Sequence, residues 1–180
     1  MPGNRSDHHL IVGNRAHRIV GEVLHEGPPD GRADFALHLT RCARTVFNDH
    51  PVTYRPRETF VDAVTAAGVY LRRFRPPAPW SLIGTEVQHG DCRFDMAFER
   101  PEVGVVVDEL KLGVSRAGET QVAEQVHRYL EAGKDRWGET FLGVRLCTVH
   151  APAESRFYRA DRKRAIALSS SDLGPELAVR

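Results

Sequence analysis

The residues in this sequence best suited to chemistry are Glu86, Asp95, Glu109 and Lys111. Glu109 and Lys111 close the run Val105-Val106-Val107-Asp108-Glu109-Leu110-Lys111. If that run is a strand, alternation sends Glu109 and Lys111 to one face and Asp108 and Leu110 to the other. A carboxylate and an ammonium then project together from the end of an apolar strand. Asp95 lies among apolar neighbours in Arg93-Phe94-Asp95-Met96-Ala97-Phe98, and a hairpin between the two runs would set it beside Glu109. Glu86, one strand earlier, could supply a third carboxylate. Clustered carboxylates suit Mg²⁺ or Mn²⁺, hard cations that take oxygen ligands and keep several waters. Such an ion polarises a phosphoryl oxygen and lowers the pKa of a bound water. Lys111 could orient that water or offset charge developing on a phosphate. Lysine is the rare cation here, 3 residues against 22 arginines, and its compact ammonium shifts pKa readily where a guanidinium does not. The plainer alternative is a structural ion pair at a strand end, although charges in an apolar setting are costly without compensation.

The elements that must position these residues can be read from punctuation and period. Residues 1–12 read as a loose leader, residues 11–24 are ambiguous, and Gly27-Pro28-Pro29-Asp30-Gly31 marks a loop. The spacing predicts a helix over 34–47, with Asp34 as N-cap and Phe35, Leu39, Cys42, Ala43 and Val46 on one face. A second helix is predicted over 58–74, ended by Pro76, Pro77 and Pro79. Strands are predicted over 81–89, 92–99 and 103–112, with turns at Gly90-Asp91 and Arg100-Pro101-Glu102. The near-continuous apolar run Val103-Gly104-Val105-Val106-Val107 suits a strand buried on both faces. An amphipathic helix over 119–132, stopped by Gly133, and a strand over 141–149 complete a strand–helix–strand unit. Such a unit implies a parallel, right-handed crossover.

The order Glu86, Asp95, Glu109-Leu110-Lys111 resembles the E…D…(D/E)xK pattern of the PD-(D/E)XK nuclease superfamily. Gly90-Asp91-Cys92-Arg93-Phe94-Asp95 resembles the hairpin that precedes the metal aspartate in RecB-like exonucleases. Gln125-Val126-His127-Arg128-Tyr129 matches the QxxxY motif of that branch, and its two marker residues share a helix face. The resemblance runs over about 82–149. It implies an α/β fold with a restriction-endonuclease-like core, a mixed central sheet flanked by helices. It implies Glu86, Asp95 and Glu109 as metal ligands, and Asp95, Glu109, Lys111, Gln125 and Tyr129 as the catalytic set. Gln125 and Tyr129 would position substrate and the lysine. Gln125 lies off the apolar stripe, whereas Tyr129 lies within it and could serve packing alone. The implied activity is Mg²⁺-dependent hydrolysis of phosphodiester bonds in DNA, exonuclease-like, in repair, recombination or defence. A catalytically inactive module of the same fold and a dimeric endonuclease are the alternatives. Some RecB-like members use a histidine from an N-terminal helix, and His38 is the candidate here. Two features depart from the family pattern. Phe94 stands where the family has proline, and no cysteine cluster supports the iron–sulfur variety of the branch.

Bulk properties bound these readings. The chain has 180 residues, 41% of them apolar and 27% charged, as in a soluble globular protein. The expected organisation is an N-terminal leader and loop over 1–33, then one domain over 34–180 with its core at 81–150. The net charge is +1, so any grip on DNA must come from local patches such as Arg72-Arg73-Phe74-Arg75 or Arg159, Arg162, Lys163 and Arg164. Cys42, Cys92 and Cys147 stand alone, without a CxxC pair. No apolar run is long enough for a bilayer and no secretory core opens the chain, so the expected location is cytoplasmic. The chain has no GxxxxGK[ST] motif for a motor, so it would act alone or with a helicase or other DNA-processing protein.

Overall fold

The computed structural model describes residues 5–28, 32–113, 118–161 and 178–179. It divides into two compact units, residues 1–72 and 73–180.

The first unit is helical. α1 spans Arg5–Glu26, α2 Arg32–Asp49 and α3 Pro56–Arg73. The first two turns of α1 occupy residues expected to form a loose leader, and most of the rest falls on residues whose sequence is ambiguous. The reason is one face built from Val12, Ala16, Ile19, Val20 and Val23, all buried. Its spacing is helical, but the polar first turn and two internal glycines mask it in the sequence. In α2, Leu39, Cys42, Ala43 and Val46 are buried as the apolar period predicts. Asp34 lies in the first turn of α2 rather than ahead of it, where a carboxylate still complements the helix dipole. Phe47 and Phe60 meet edge to face at 5.0 Å, and a Cβ added at Gly68 would touch Leu39. These contacts seat α3 against α2.

The second unit is an α/β structure with a mixed sheet in the order β1-β2-β3-β4-β5-β6. The strands are β1 (Ser81–His89), β2 (Cys92–Arg100), β3 (Gly104–Lys111), β4 (Phe141–Thr148), β5 (Arg156–Arg159) and β6 (Ala178–Val179). β1, β2 and β3 form an antiparallel meander. β3 and β4 pair in parallel, β4 and β5 antiparallel. Between β3 and β4 runs α4 (Glu119–Trp137), as a parallel connection requires. All of β4 and nearly all of β3 are buried, which is why β3 reads as an apolar run rather than an alternation. The edge strand β1 alternates, and its pairing slips between Leu82 and Gly84.

α4 packs on this sheet through Val126 and Tyr129, which join Phe94, Ala97, Val107, Phe141 and Val144 in one core cluster. Gly133 does not stop the helix. It is buried inside it, and a Cβ there would stand 2.2 Å from the Phe141 ring. The helix runs on for one more turn because Trp137 stacks on Phe141 at 5.7 Å. It is capped by Gly138, whose φ of 54° few other residues tolerate and whose N–H donates to the Lys134 carbonyl. Among the described residues no helix is long and apolar enough to cross a membrane. Arg162, Lys163 and Arg164 lie outside the described residues.

Candidate active site at the splayed end of β2 and β3

The site is built where the β2–β3 ladder ends. Backbone pairing runs from Arg100–Gly104 to Met96–Asp108 and stops there. Beyond it the Leu110 N–H donates to Asp95 Oδ2 at 2.8 Å. A side-chain carboxylate therefore replaces the backbone acceptor that a continuing strand would offer, so the two strands part and Asp95 is held in the fork. Asp95 is 7% exposed and Glu109 2%. Two acids this deeply buried need compensation, because desolvated carboxylates are costly.

Compensation for Glu109 comes from two donors on one oxygen. Lys111 Nζ lies 2.5 Å from Glu109 Oε1, as expected of residues two apart on a strand. Gln125 Nε2 donates to the same oxygen at 2.8 Å. Gln125 also donates to the Tyr129 hydroxyl at 3.2 Å, and that hydroxyl donates to the Arg93 carbonyl at 2.5 Å. Burial, then the nearby charges of Glu109 and Asp95, hold the Tyr129 phenol protonated far above its usual range. It therefore acts as a fixed donor and not as a base. Lys111 keeps 29% of its side chain exposed, so its amine remains accessible to solvent beside a buried acid.

Asp95, Glu109, Lys111, Gln125 and Tyr129 are thus brought together. Glu86 is placed less simply. It sits between the Thr85–Met96 and Val87–Phe94 pairs, with φ of 52°, a conformation that costs a non-glycine residue about 1 kcal/mol or more. It offers an oxygen within 4.8 Å of one from Asp95. Its carboxylate also binds Arg93 Nε at 2.7 Å, in a pair whose side chains are 45% and 66% exposed, so the pair holds it only weakly. Asp95 offers an oxygen near that of Glu86 on one side and accepts from the Leu110 N–H of the Glu109 strand on the other, while Glu109 does not join Glu86 and Asp95 in a three-ligand cluster among the described residues. The donors of Glu86 and Asp95 are carboxylate oxygens, which suit a hard divalent cation.

Arg93 is the participant that residue types alone did not suggest. Its carbonyl anchors Tyr129 and its guanidinium meets Glu86. Its place two residues before Asp95 on a strand is the only sequence signal it carries. Phe94 fills the core under α4, 5.0 Å from the Tyr129 ring and 5.3 Å from that of Trp137. Asp108 faces away from the site and makes a bidentate pair with Arg145 of β4, at 2.6 and 2.5 Å, both residues fully buried. His38 lies in the first unit, beside Glu26 and Arg41.

A cavity of about 460 Å³ opens between α4 and the strands β4 and β5. Its lining includes Val122, Leu146 and Tyr158, one cation, Arg156, and two acids, Glu119 and Glu154. Leu146 is the register partner of Glu109, but none of Asp95, Glu109, Lys111, Gln125 or Tyr129 lines the cavity. No protein-family model matches this chain, and neither curated proteins nor solved structures gave a significant match.

Proposed function

We propose that this protein is a Mg²⁺-dependent DNA nuclease of the PD-(D/E)XK type, hydrolysing phosphodiester bonds with an exonuclease-like action in repair, recombination or defence. The observation that carries this reading is the convergence of Lys111 and Gln125 on one oxygen of buried Glu109, with Asp95 held in the fork beside it. A merely structural ion pair would not need Gln125, nor a carboxylate in the place of a ladder carbonyl.

In this reading Asp95 and Glu109, with Glu86, hold the cation. When bound, Mg²⁺ supplies Lewis acidity toward a phosphoryl oxygen and acidifies a bound water. The amine of Lys111 orients the attacking water and offsets negative charge on the phosphate as the bond to the leaving oxygen breaks. Gln125 fixes the Glu109 carboxylate from the helix side, and Tyr129 fixes Gln125. The cavity beside α4 has the volume of a small-molecule site, and its wall carries Arg156 together with the acids Glu119 and Glu154. A helicase or other DNA-processing protein would supply strand separation.

The test uses linear and circular DNA with Mg²⁺, Mn²⁺ or EDTA, beside Lys111→Ala. The expected result is metal-dependent loss of linear DNA, reduced about 10²–10³-fold in Lys111→Ala, the scale of losing one charge-stabilising donor. Cutting of circles would instead favour a dimeric endonuclease, and binding without cutting an inactive module. Cleavage that survives both EDTA and Lys111→Ala would overturn the reading.

A further inference from the structure

The first unit contains a cluster that the proposed hydrolysis does not use. His38 and Cys42 are four residues apart on α2 and so share a helix face, while Glu26 closes α1. Ligand atoms of these three side chains all lie within 4.8 Å of one another. Cys42 is 1% exposed. His38 Nε2 is buried without a hydrogen-bond partner and stands 3.8 Å from Glu26 Oε2, beyond hydrogen-bond reach. A buried imidazole nitrogen, a thiol and a carboxylate gathered at one point make a mixed nitrogen, sulfur and oxygen donor set. That chemistry differs from the all-carboxylate site of the second unit. It suits a borderline-soft ion that accepts three protein ligands and a fourth position for solvent.

We propose that Glu26, His38 and Cys42 form a binding site for Zn²⁺ or a similar borderline transition-metal ion. Binding replaces the Cys42 S–H bond by a metal–sulfur bond and releases that proton to solvent. His38 binds through Nε2 and carries its ring proton on Nδ1. Arg41, which now donates to His38 Nδ1 at 3.2 Å, gives up that bond. It keeps its contact with the Glu26 carboxylate, where it orients the ligand from outside the coordination sphere. The Cys42 thiol holds its proton tightly, its pKa pushed up to about 11 by burial first and by Glu26 second.

The probe is Co²⁺, whose bond to a thiolate produces a charge-transfer absorption in the near ultraviolet. One equivalent added to the full chain gives this band, and Zn²⁺ bleaches it. Cys42→Ser abolishes the band. Cys92→Ser, which alters a half-buried thiol elsewhere, leaves it intact. His38→Gln and Glu26→Gln each weaken Co²⁺ binding at least about tenfold, the low end of what altering a metal site costs. Zn²⁺ also raises the unfolding temperature of the unaltered chain, EDTA reverses the rise, and His38→Gln loses it while keeping the same circular dichroism. The proposal is overturned if stoichiometric Co²⁺ gives no charge-transfer band, if the band survives Cys42→Ser, or if His38→Gln binds Co²⁺ as tightly as the unaltered chain.

Discussion

Two neighbouring acids on β3 have opposite roles because a strand has two faces. Glu109 turns to Lys111 and Gln125, while Asp108 turns to Arg145. Mutation should separate them cleanly. Asp108→Ala leaves the Arg145 guanidinium buried without its carboxylate, and breaking such a pair costs about 3–5 kcal/mol. Urea unfolding should show that loss, while DNA cleavage by the folded fraction stays unchanged. Gln125→Ala should do the reverse. Gln125 is half-buried, so the fold survives, but the Glu109 carboxylate loses the donor that α4 supplies. Cleavage should fall about 10–100-fold, as for other groups that orient a metal ligand. The Mg²⁺ concentration for half-maximal rate should rise, a shift that a purely structural role would not produce.

The helix α4 is the element that ties the site together, carrying Gln125 and Tyr129 above β2 and β3. Its length is set by packing rather than by local propensity. A glycine inside a helix is unfavourable by about 1 kcal/mol relative to alanine, which is why Gly133 reads as a stop in the sequence. The Phe141 ring occupies the space its side chain would need. Gly133→Ala should therefore destabilise despite the gain in helix propensity, by about 1–3 kcal/mol as for other overpacked cores. Denaturant midpoints measure this, and a stabilised variant would show that the ring can yield. The forked end of β2 and β3 is likewise an element-scale device. The Asp95 carboxylate accepts a backbone N–H that a regular ladder would have used, so the local cost of splaying the strands is offset by the residue the site requires.

At the scale of the whole molecule, several buried acids with high pKa lie in both units. Burial pushes the Cys42 thiol up to about 11 from 9.0. It also raises the Cys147 thiol and the Tyr129 phenol, and nearby carboxylates add to each effect. A group whose folded pKa is raised contributes stability in full below its unfolded pKa and loses it as pH climbs toward the folded value. The Cys42 contribution is therefore complete below about pH 9 and is lost between about 9 and about 11. Unfolding free energy measured in EDTA should fall across that window. The fall should be shallower in Cys42→Ser, whose hydroxyl does not titrate there, and an identical slope would refute the assignment. With a net charge of +1, the DNA affinity that the proposed function requires would have to rest on local contacts such as Lys111.

Period and punctuation in the sequence by themselves determined the order of elements from α2 to β4 and their approximate limits. They also determined the shared face of Glu109 and Lys111, because alternation and helical spacing are local properties of the chain. The helix α1 was less legible, since its apolar face begins only at Val12, behind a polar first turn. What only the tertiary structure decided were relations between distant segments. These include the parting of β2 from β3 at Asp95, the role of Arg93 as partner to both Tyr129 and Glu86, and the pairing of Asp108 with Arg145. The extension of α4 past Gly133 and the meeting of Glu26 with His38 and Cys42 belong with them. Each depends on side chains that converge only after strands and helices pack, and one-dimensional spacing carries no measure of that distance.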